Sequence, residues 1–220
     1  MTMEHTIEVA GERLQLHAER ALYWPRVRWL LLADVHLGKG AVLRRAGVAL
    51  PTGQTRADLA RINGLIAHYR PERLVVLGDL VHGKALHDTP WVDDVRRWRD
   101  SHAALPMSLV AGNHDRHFDA ATLGFERVGA AIHEAPFALA HEPHLAPDHY
   151  VLAGHVHPGI RVQDGWRSHR LPAFRFGLRH GLLPAFGALT GLHDTPPASG
   201  ERIVAVTPAG LLPLDARSPR

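Results

Sequence analysis

Val27-Arg28-Trp29-Leu30-Leu31-Leu32-Ala33 runs directly into Asp34-Val35-His36. An apolar run with no polar alternation is the pattern of a strand buried on both faces. Strands of that kind belong to parallel sheets, where ligands gather beyond the carboxyl ends. Asp34 and His36 stand at such an end, two residues apart, so both can reach one ion from a single turn.

The arrangement recurs downstream. Leu59, Ile62, Leu65 and Ile66 fall at helical spacing and predict a helix over Thr55–Tyr69, with Thr52 or Thr55 as its cap. Arg73–Leu77 then reads as a second buried strand that ends at Gly78-Asp79. Trp91–His102 reads as a second helix, with Val92, Val95 and Trp98 on one side and Arg96, Arg97 and Arg99 on the other. Trp98 is assigned to packing. Met107–Ala111 is a third strand and ends at Gly112-Asn113. Strand, helix, strand, helix, strand is the order of an α/β sheet with parallel neighbours. Upstream, residues 6–20 alternate and read as a strand pair turned at Gly11-Glu12.

The second half is broken by Gly, Pro and His into short apolar runs: Phe137–Ala140, Tyr150–Ala153, Gly159–Val162, Leu171–Phe176 and Leu182–Ala185. Ile203–Val206 and Leu211–Leu214 form a closing hairpin around Pro208–Gly210. These runs predict a second, more antiparallel sheet, with His141 and Gly154-His155-Val156-His157 at strand ends. Thr195–Gly200, with its Pro-Pro, is the expected mobile loop.

The chain has 220 residues and is read as one domain, 1–220. Cysteine is absent, which excludes disulfides and thiolate zinc sites. Met1–Gln15 lacks the apolar region of a signal peptide, and the longest apolar runs are too short to span a bilayer. A soluble, cytoplasmic protein with no membrane contact is expected. The net charge is only +3, yet Arg greatly outnumbers Lys. Arg suits bidentate phosphate contacts, although an arginine-rich solvated face accounts for the composition equally well.

Asp34, His36, Asp79, Asn113, His141, His155 and His157 together offer more ligands than one metal needs. Asp79 has two carboxylate oxygens and can bridge two cations. Asn113 supplies a neutral amide oxygen and the four histidines supply imidazole nitrogens. The set holds oxygen and nitrogen without sulfur, which fits Mn²⁺, Fe or Zn²⁺. The glycines before Asp79, Asn113 and His155 are expected to let the backbone turn sharply behind each ligand. Two metals that share a bridging carboxylate point to hydrolysis of a phosphate ester, with a metal-bridging hydroxide as nucleophile. His114 is left over. A carboxylate beside it favours imidazolium, which can protonate a leaving alkoxide; its alternative is to pack behind Asn113.

Asp34-Val35-His36, Gly78-Asp79, Gly112-Asn113-His114-Asp115, His141 and Gly154-His155-Val156-His157 match, element by element, the pattern of the calcineurin-like metallophosphoesterases, which the chain resembles over roughly residues 27–190. The resemblance implies an α/β fold: a four-layer αββα sandwich of two mixed sheets flanked by helices, with a dinuclear site at the sheet ends. It implies that Asp34, His36 and His157 hold one metal, that Asp79 bridges, and that Asn113, His141 and His155 hold the other. His114 would face the scissile phosphate, with Asp115 steadying its ring.

A finer resemblance rests on 32–39 (LADVHLGK), 44–48 (RRAGV), 141–143 (HEP), 153–158 (AGHVHP) and 183–191 (LPAFGALTG). These look like the bacterial DNA-ligase-associated metallophosphoesterases. That subgroup implies a manganese-dependent endonuclease on single-stranded DNA, linked to DNA repair alongside a ligase, an exonuclease and a helicase. Lys39, Arg44, Arg45 and Arg116 lie near the ligand fragments and are candidates for contacts to neighbouring phosphates. Trp91 and Trp166 are candidates for base stacking.

Two rival readings stand beside this one. A phosphatase or pyrophosphatase acting on a small nucleotide or lipid intermediate would use the same ligands, although the lipid case needs an apolar lid that the sequence lacks. A non-catalytic scaffold would have lost ligands or His114, and all eight positions are intact. Metal storage by His141, His144, His149, His155, His157 and His169 is disfavoured by their scattered spacing.

Overall fold

In the computed structural model the described residues are 1–82, 89–116, 118–144 and 146–214, without the side chain of Asp164. Four antiparallel strands open the chain: β1 (Glu4–Val9), β2 (Glu12–His17), β3 (Ala21–Trp24) and β4 (Trp29–Leu32). Helices α1 (Lys39–Arg45) and α2 (Gln54–Tyr69) follow, then β5 (Arg73–Leu77), α3 (Pro90–Ser101), β6 (Met107–Val110), a 3₁₀ turn at Ala120–Leu123 and β7 (Glu126–Val128). The first sheet has the order β1-β2-β3-β4-β5-β6-β7, and β4 to β7 are parallel.

The second sheet is built from β8 (Ala131–Glu134), β9 (Phe137–Ala140), β10 (Tyr150–Ala153), β11 (Pro158–Asp164), β12 (Arg167–Phe176), β13 (His180–Leu182), β14 (His193–Asp194), β15 (Arg202–Thr207) and β16 (Gly210–Leu214). Its main path is β14-β11-β12-β13-β10-β9-β8, and β12 also pairs with the β15–β16 hairpin. It is mixed: β10 lies parallel to both β9 and β13, and most other pairs are antiparallel.

Strand alternation divides the core. Leu30, Leu32, Leu74, Val76, Met107 and Leu109 point to the helices, where they meet Leu59, Ile62 and Leu65 of α2 and Trp91, Val92, Val95 and Trp98 of α3. Leu31, Val75, Leu77 and Val110 point the other way and meet Phe137, Leu139, Leu152, Phe174 and Phe176 of the second sheet. Each fully buried Phe there contributes about 1.5–3 kcal/mol. Trp98 packs as expected. Trp91 is also core rather than a stacking surface.

The two-sheet α/β sandwich is the one expected. Helices are few, and the three described ones all pack on the first sheet. The outer face of the second sheet carries small residues instead, Ala138, Ala140 and Ala153 among them. The N-cap of α2 is Gly53 with a left-handed backbone and no side-chain cap, not a threonine. Its last turn closes on Arg70 at φ 46°, just before Pro71, which cannot continue a helix.

Beyond the strand ends the sheets are stitched together. The Phe186 N–H donates to the Ala33 carbonyl at 2.7 Å and the Gly187 N–H to that of Asp34 at 3.1 Å. A Cβ on Gly187 would lie 2.5 Å from the Val35 carbonyl oxygen. The loops after β4, β5, β6, β9 and β10 therefore open at one edge of the sandwich.

Candidate metal centre

The loops after β4 and β5 travel as a pair. The His36 N–H donates to the Asp79 carbonyl and the Leu37 N–H to that of Leu80, both at 2.8 Å, and the His82 N–H returns to Leu37 at 2.9 Å. Asp34, His36, Asp79, His155 and His157 all have positive φ, between 50° and 66°. Left-handed backbone at a non-glycine residue costs about 1–3 kcal/mol and persists only where its surroundings impose it. Five such residues in one small region is the signature of a site built for geometry.

The glycines act differently from the expectation. Only Gly78 combines a ligand-flanking position with positive φ, at 81°. Gly112 and Gly154 are required for space. A Cβ on Gly112 would lie 2.3 Å from Asp79 Oδ1, and one on Gly154 would lie 2.6 Å from Asp34 Oδ2.

The structure brings the seven ligand candidates together in two groups. Asp34, His36 and His157 form one, and Asp79, His141 and His155 the other; within each, the offered ligand atoms all lie within 4.8 Å of one another. Asn113 joins the second, its Oδ1 at 3.1 Å from His141 Nε2. Asp79 lies between them: Oδ2 is 3.9 Å from His36 Nε2 and Oδ1 is 3.7 Å from His141 Nε2. Asp34, His36, Asp79 and His141 are buried, whereas Asn113 and His155 are exposed.

Hydrogen bonding shows what the cluster lacks. His141 Nδ1 donates to the Leu77 carbonyl at 3.0 Å, which leaves Nε2 as a lone pair. That lone pair faces Asn113 Oδ1, with His155 Nδ1 3.0 Å away. In the other group His36 Nε2 and His157 Nε2 meet at 3.4 Å. Asp34 Oδ1 is buried without a hydrogen-bond partner, 3.7 Å from His157 Nε2. A buried acceptor with no donor is costly, and a cation beside it removes the cost. Burial pushes the His36 imidazole down to about 2, helped by the positive charge of Lys39 and by the neighbouring imidazoles. It is therefore neutral at physiological pH, the form that binds metal. The oxygen and imidazole donors suit divalent Mn, Fe or Zn.

His114 stands at the mouth, its side chain 37% exposed and its Nε2 4.0 Å from Asp79 Oδ2. Its backbone N–H donates to Asp79 Oδ1 at 2.9 Å. Asp115 does not steady its ring among the described contacts, which corrects the expectation. The Asp115 carboxylate is fully buried and accepts from Gly112 N–H at 2.9 Å and from Leu80 and Val81 N–H at 3.3 Å. A carboxylate at 0% exposure takes the donors its burial demands, so Asp115 fastens the Gly112–Asp115 loop to the Asp79–Val81 loop.

His82 was not foreseen. Its Nδ1 lies 3.3 Å from His36 Nδ1 and its ring is 4.6 Å from that of His114, centroid to centroid. Burial pushes it down to about 4, with Lys39 and His114 adding to the shift. The available signal was its place three residues after Asp79, behind buried Leu80 and Val81.

Of the four basic candidates, Lys39 is the one coupled to the cluster. It is partly buried, and burial lowers its ammonium pKa against the opposing pull of Asp79 and Asp34. Arg44 donates to the Pro51 carbonyl at 2.9 Å and lines a cavity of about 260 Å³ beside α2. Arg45 and Arg116 are exposed.

The family model described as calcineurin-like phosphoesterase matches residues 27–182. The chain belongs to the calcineurin-like phosphoesterase family. Among solved structures, this phosphoesterase is similar to a Pseudomonas putida nuclease, MPE. The two share 39% identity over 96% of this chain and 100% of that one, with a TM-score of 0.84. YfcE, a phosphoesterase from E. coli, aligns at 18% identity over 83% of this chain and 90% of that one, with a TM-score of 0.43. No curated protein matches the sequence. No helix among the described residues is long and apolar enough to cross a membrane.

Proposed function

We propose that this phosphoesterase is a manganese-dependent endonuclease that hydrolyses the backbone of single-stranded DNA in cytoplasmic DNA repair. The observation that carries the reading is the convergence of carboxylate and imidazole ligand atoms at the sheet ends, Asp34 Oδ1 orphaned among them. The near full-length similarity to a nuclease supports a nucleic acid as the substrate, and the subgroup resemblance narrows it to DNA. The subgroup resemblance supports a working link to a ligase, an exonuclease and a helicase.

In this reading Asp34, His36 and His157 hold one ion, Asn113, His141 and His155 hold the second, and Asp79 serves both. Bound there, divalent ions supply a water nucleophile near neutral pH and neutralise charge on the phosphoryl oxygens. The protein does the rest. Asp115 and the paired loops keep the ligand backbones in their strained form. Lys39 adds positive charge beside the phosphate. His114, at the mouth, passes a ring proton to the leaving oxygen, and His82 flanks its ring.

Nicking of circular single-stranded DNA in the presence of Mn²⁺ tests this reading. Linear product is expected with Mn²⁺ and none with chelator. Hydrolysis confined to mononucleotides or lipid intermediates would assign the site to a small-molecule phosphatase instead.

A further inference from the structure

The β11–β12 hairpin begins at Pro158, the residue after His157, and turns through Gly165 and Trp166. Gly165 supplies the positive φ, at 57°, that a two-residue turn needs. The turn makes no demand for Trp at its second position, where small polar residues are favoured. Yet Trp166 sits there fully exposed, at 105%. Trp is a residue that folded proteins ordinarily bury for the most part. The described residues of the hairpin offer its ring nothing to pack on.

The arginines of the hairpin raise the same question. Arg161 lies directly opposite Arg170 in the register, and like charges in that relation destabilise a strand pair. Both guanidiniums turn to one oxygen of Asp194, Arg161 at 3.2 Å and Arg170 at 2.7 Å. One carboxylate thus serves two cations. The apolar residues Ile160, Val162 and Leu171 pack into a cluster with β15 and β16. Alternation along the strands places the Arg161–Arg170 pair on the opposite face.

We infer that the tip of this hairpin is a second contact for single-stranded nucleic acid: a base stacks on Trp166 while phosphates run along Arg161 and Arg170. An aromatic face beside a basic track is the chemistry that holds an unpaired strand without regard to sequence. Protein partners suit this surface less well, since two arginines that share one carboxylate on the hairpin that carries the exposed ring complement a polyanion. The seven steps from Pro158 to Gly165 reach about 23 Å at roughly 3.3 Å per residue. A strand cut at the metal centre touches Trp166 only if it extends several nucleotides beyond the scissile phosphate. The inference rests on the proposed DNA substrate.

The test compares Trp166→Ala and Trp166→Phe with the wild type on three substrates: bis-p-nitrophenyl phosphate, a dinucleotide and a long oligo(dT). Trp166→Ala is expected to raise KM for the long strand about tenfold, within the range measured for stacking on aromatic side chains. It should leave kcat for that strand and both small substrates unchanged, and the Phe variant should restore most of the loss. Oligo(dT) should also quench wild-type tryptophan fluorescence without divalent metal, and quench Trp166→Phe much less. A Trp166→Ala enzyme that cuts long strands with wild-type KM overturns the inference. So does a variant that changes only self-association, which would assign the tip to a protein contact. A wild type that hydrolyses the chromogenic diester and leaves DNA intact overturns the DNA reading itself. In that event the quenching experiment still decides whether the tip binds a strand.

Discussion

Two buried polar clusters in this molecule are built on opposite plans. Around Arg175 and Glu201 donors and acceptors match: Nε and Nη2 of Arg175 donate to the two Glu201 oxygens at 2.8 and 2.5 Å. Nη1 donates to Thr195, to its carbonyl at 2.9 Å and to its hydroxyl, and Nη2 donates to the Pro196 carbonyl at 3.0 Å. The Ala198 N–H closes the set on Glu201 at 3.0 Å. At the sheet ends, by contrast, imidazole nitrogens and oxygens converge at 3.1–3.4 Å, and Asp34 Oδ1 has no hydrogen-bond partner. The first cluster is complete as protein and holds a loop in place. The second is complete only with cations, which marks it as the working part.

Substitutions in each cluster can break that contrast. Asp79→Ala has the largest expected effect. It removes the one carboxylate shared by both groups and should lower turnover of any phosphodiester on the order of a thousandfold, about 4 kcal/mol, with loss of bound metal. A variant that melted early and still bound metal normally would mean that the cluster is structural, like its counterpart. Next comes His114→Ala, which should cost about 10²–10⁴-fold on DNA. Bis-p-nitrophenyl phosphate should be spared, since its leaving group departs without a proton; equal losses on both substrates would remove the proton-donor role. His82→Ala should keep the metal content and lower DNA cleavage about 10–100-fold through disturbed support of His36 and His114, read as kcat beside a metal assay.

The smallest effect on turnover belongs to Glu201→Gln. It should leave activity unchanged and destabilise the fold by ~3 kcal/mol, because Arg175 keeps its charge and loses its partner. Burial pushes the Glu201 carboxyl up, but hydrogen bonds from Arg175 and the Ala198 N–H outweigh it and hold the group below its ordinary value. A depressed acid stabilises above its unfolded pKa, and that contribution is lost as pH falls through the folded one. Thermal melts of wild type and variant should therefore converge under acid conditions and diverge near neutrality.

The same contrast explains what the sequence revealed. The buried parallel strands were legible because they are unbroken apolar runs, and their ligands because each follows such a run. Thr195–Gly200 was read as mobile from its prolines; the cross-tie that anchors it comes from Arg175 on β12, far away in sequence. His82 is hard to read from the sequence because its place three residues after Asp79 fits none of the ligand fragments. It acquires meaning only when the loops after β4 and β5 pair and set it beside His36. Asp115 was misjudged for a related reason: adjacency to His114 in sequence says nothing about which way a buried carboxylate turns. Strands of three or four residues also hide their direction, so the parallel pairing of β10 with β9 and β13 was not visible.

Metal stoichiometry tests the central claim most directly. Metal-stripped protein titrated with Mn²⁺ should bind two ions per chain, with phosphodiesterase activity absent beforehand and complete once both are bound. Saturation by a single ion, or turnover that survives chelation, would contradict it.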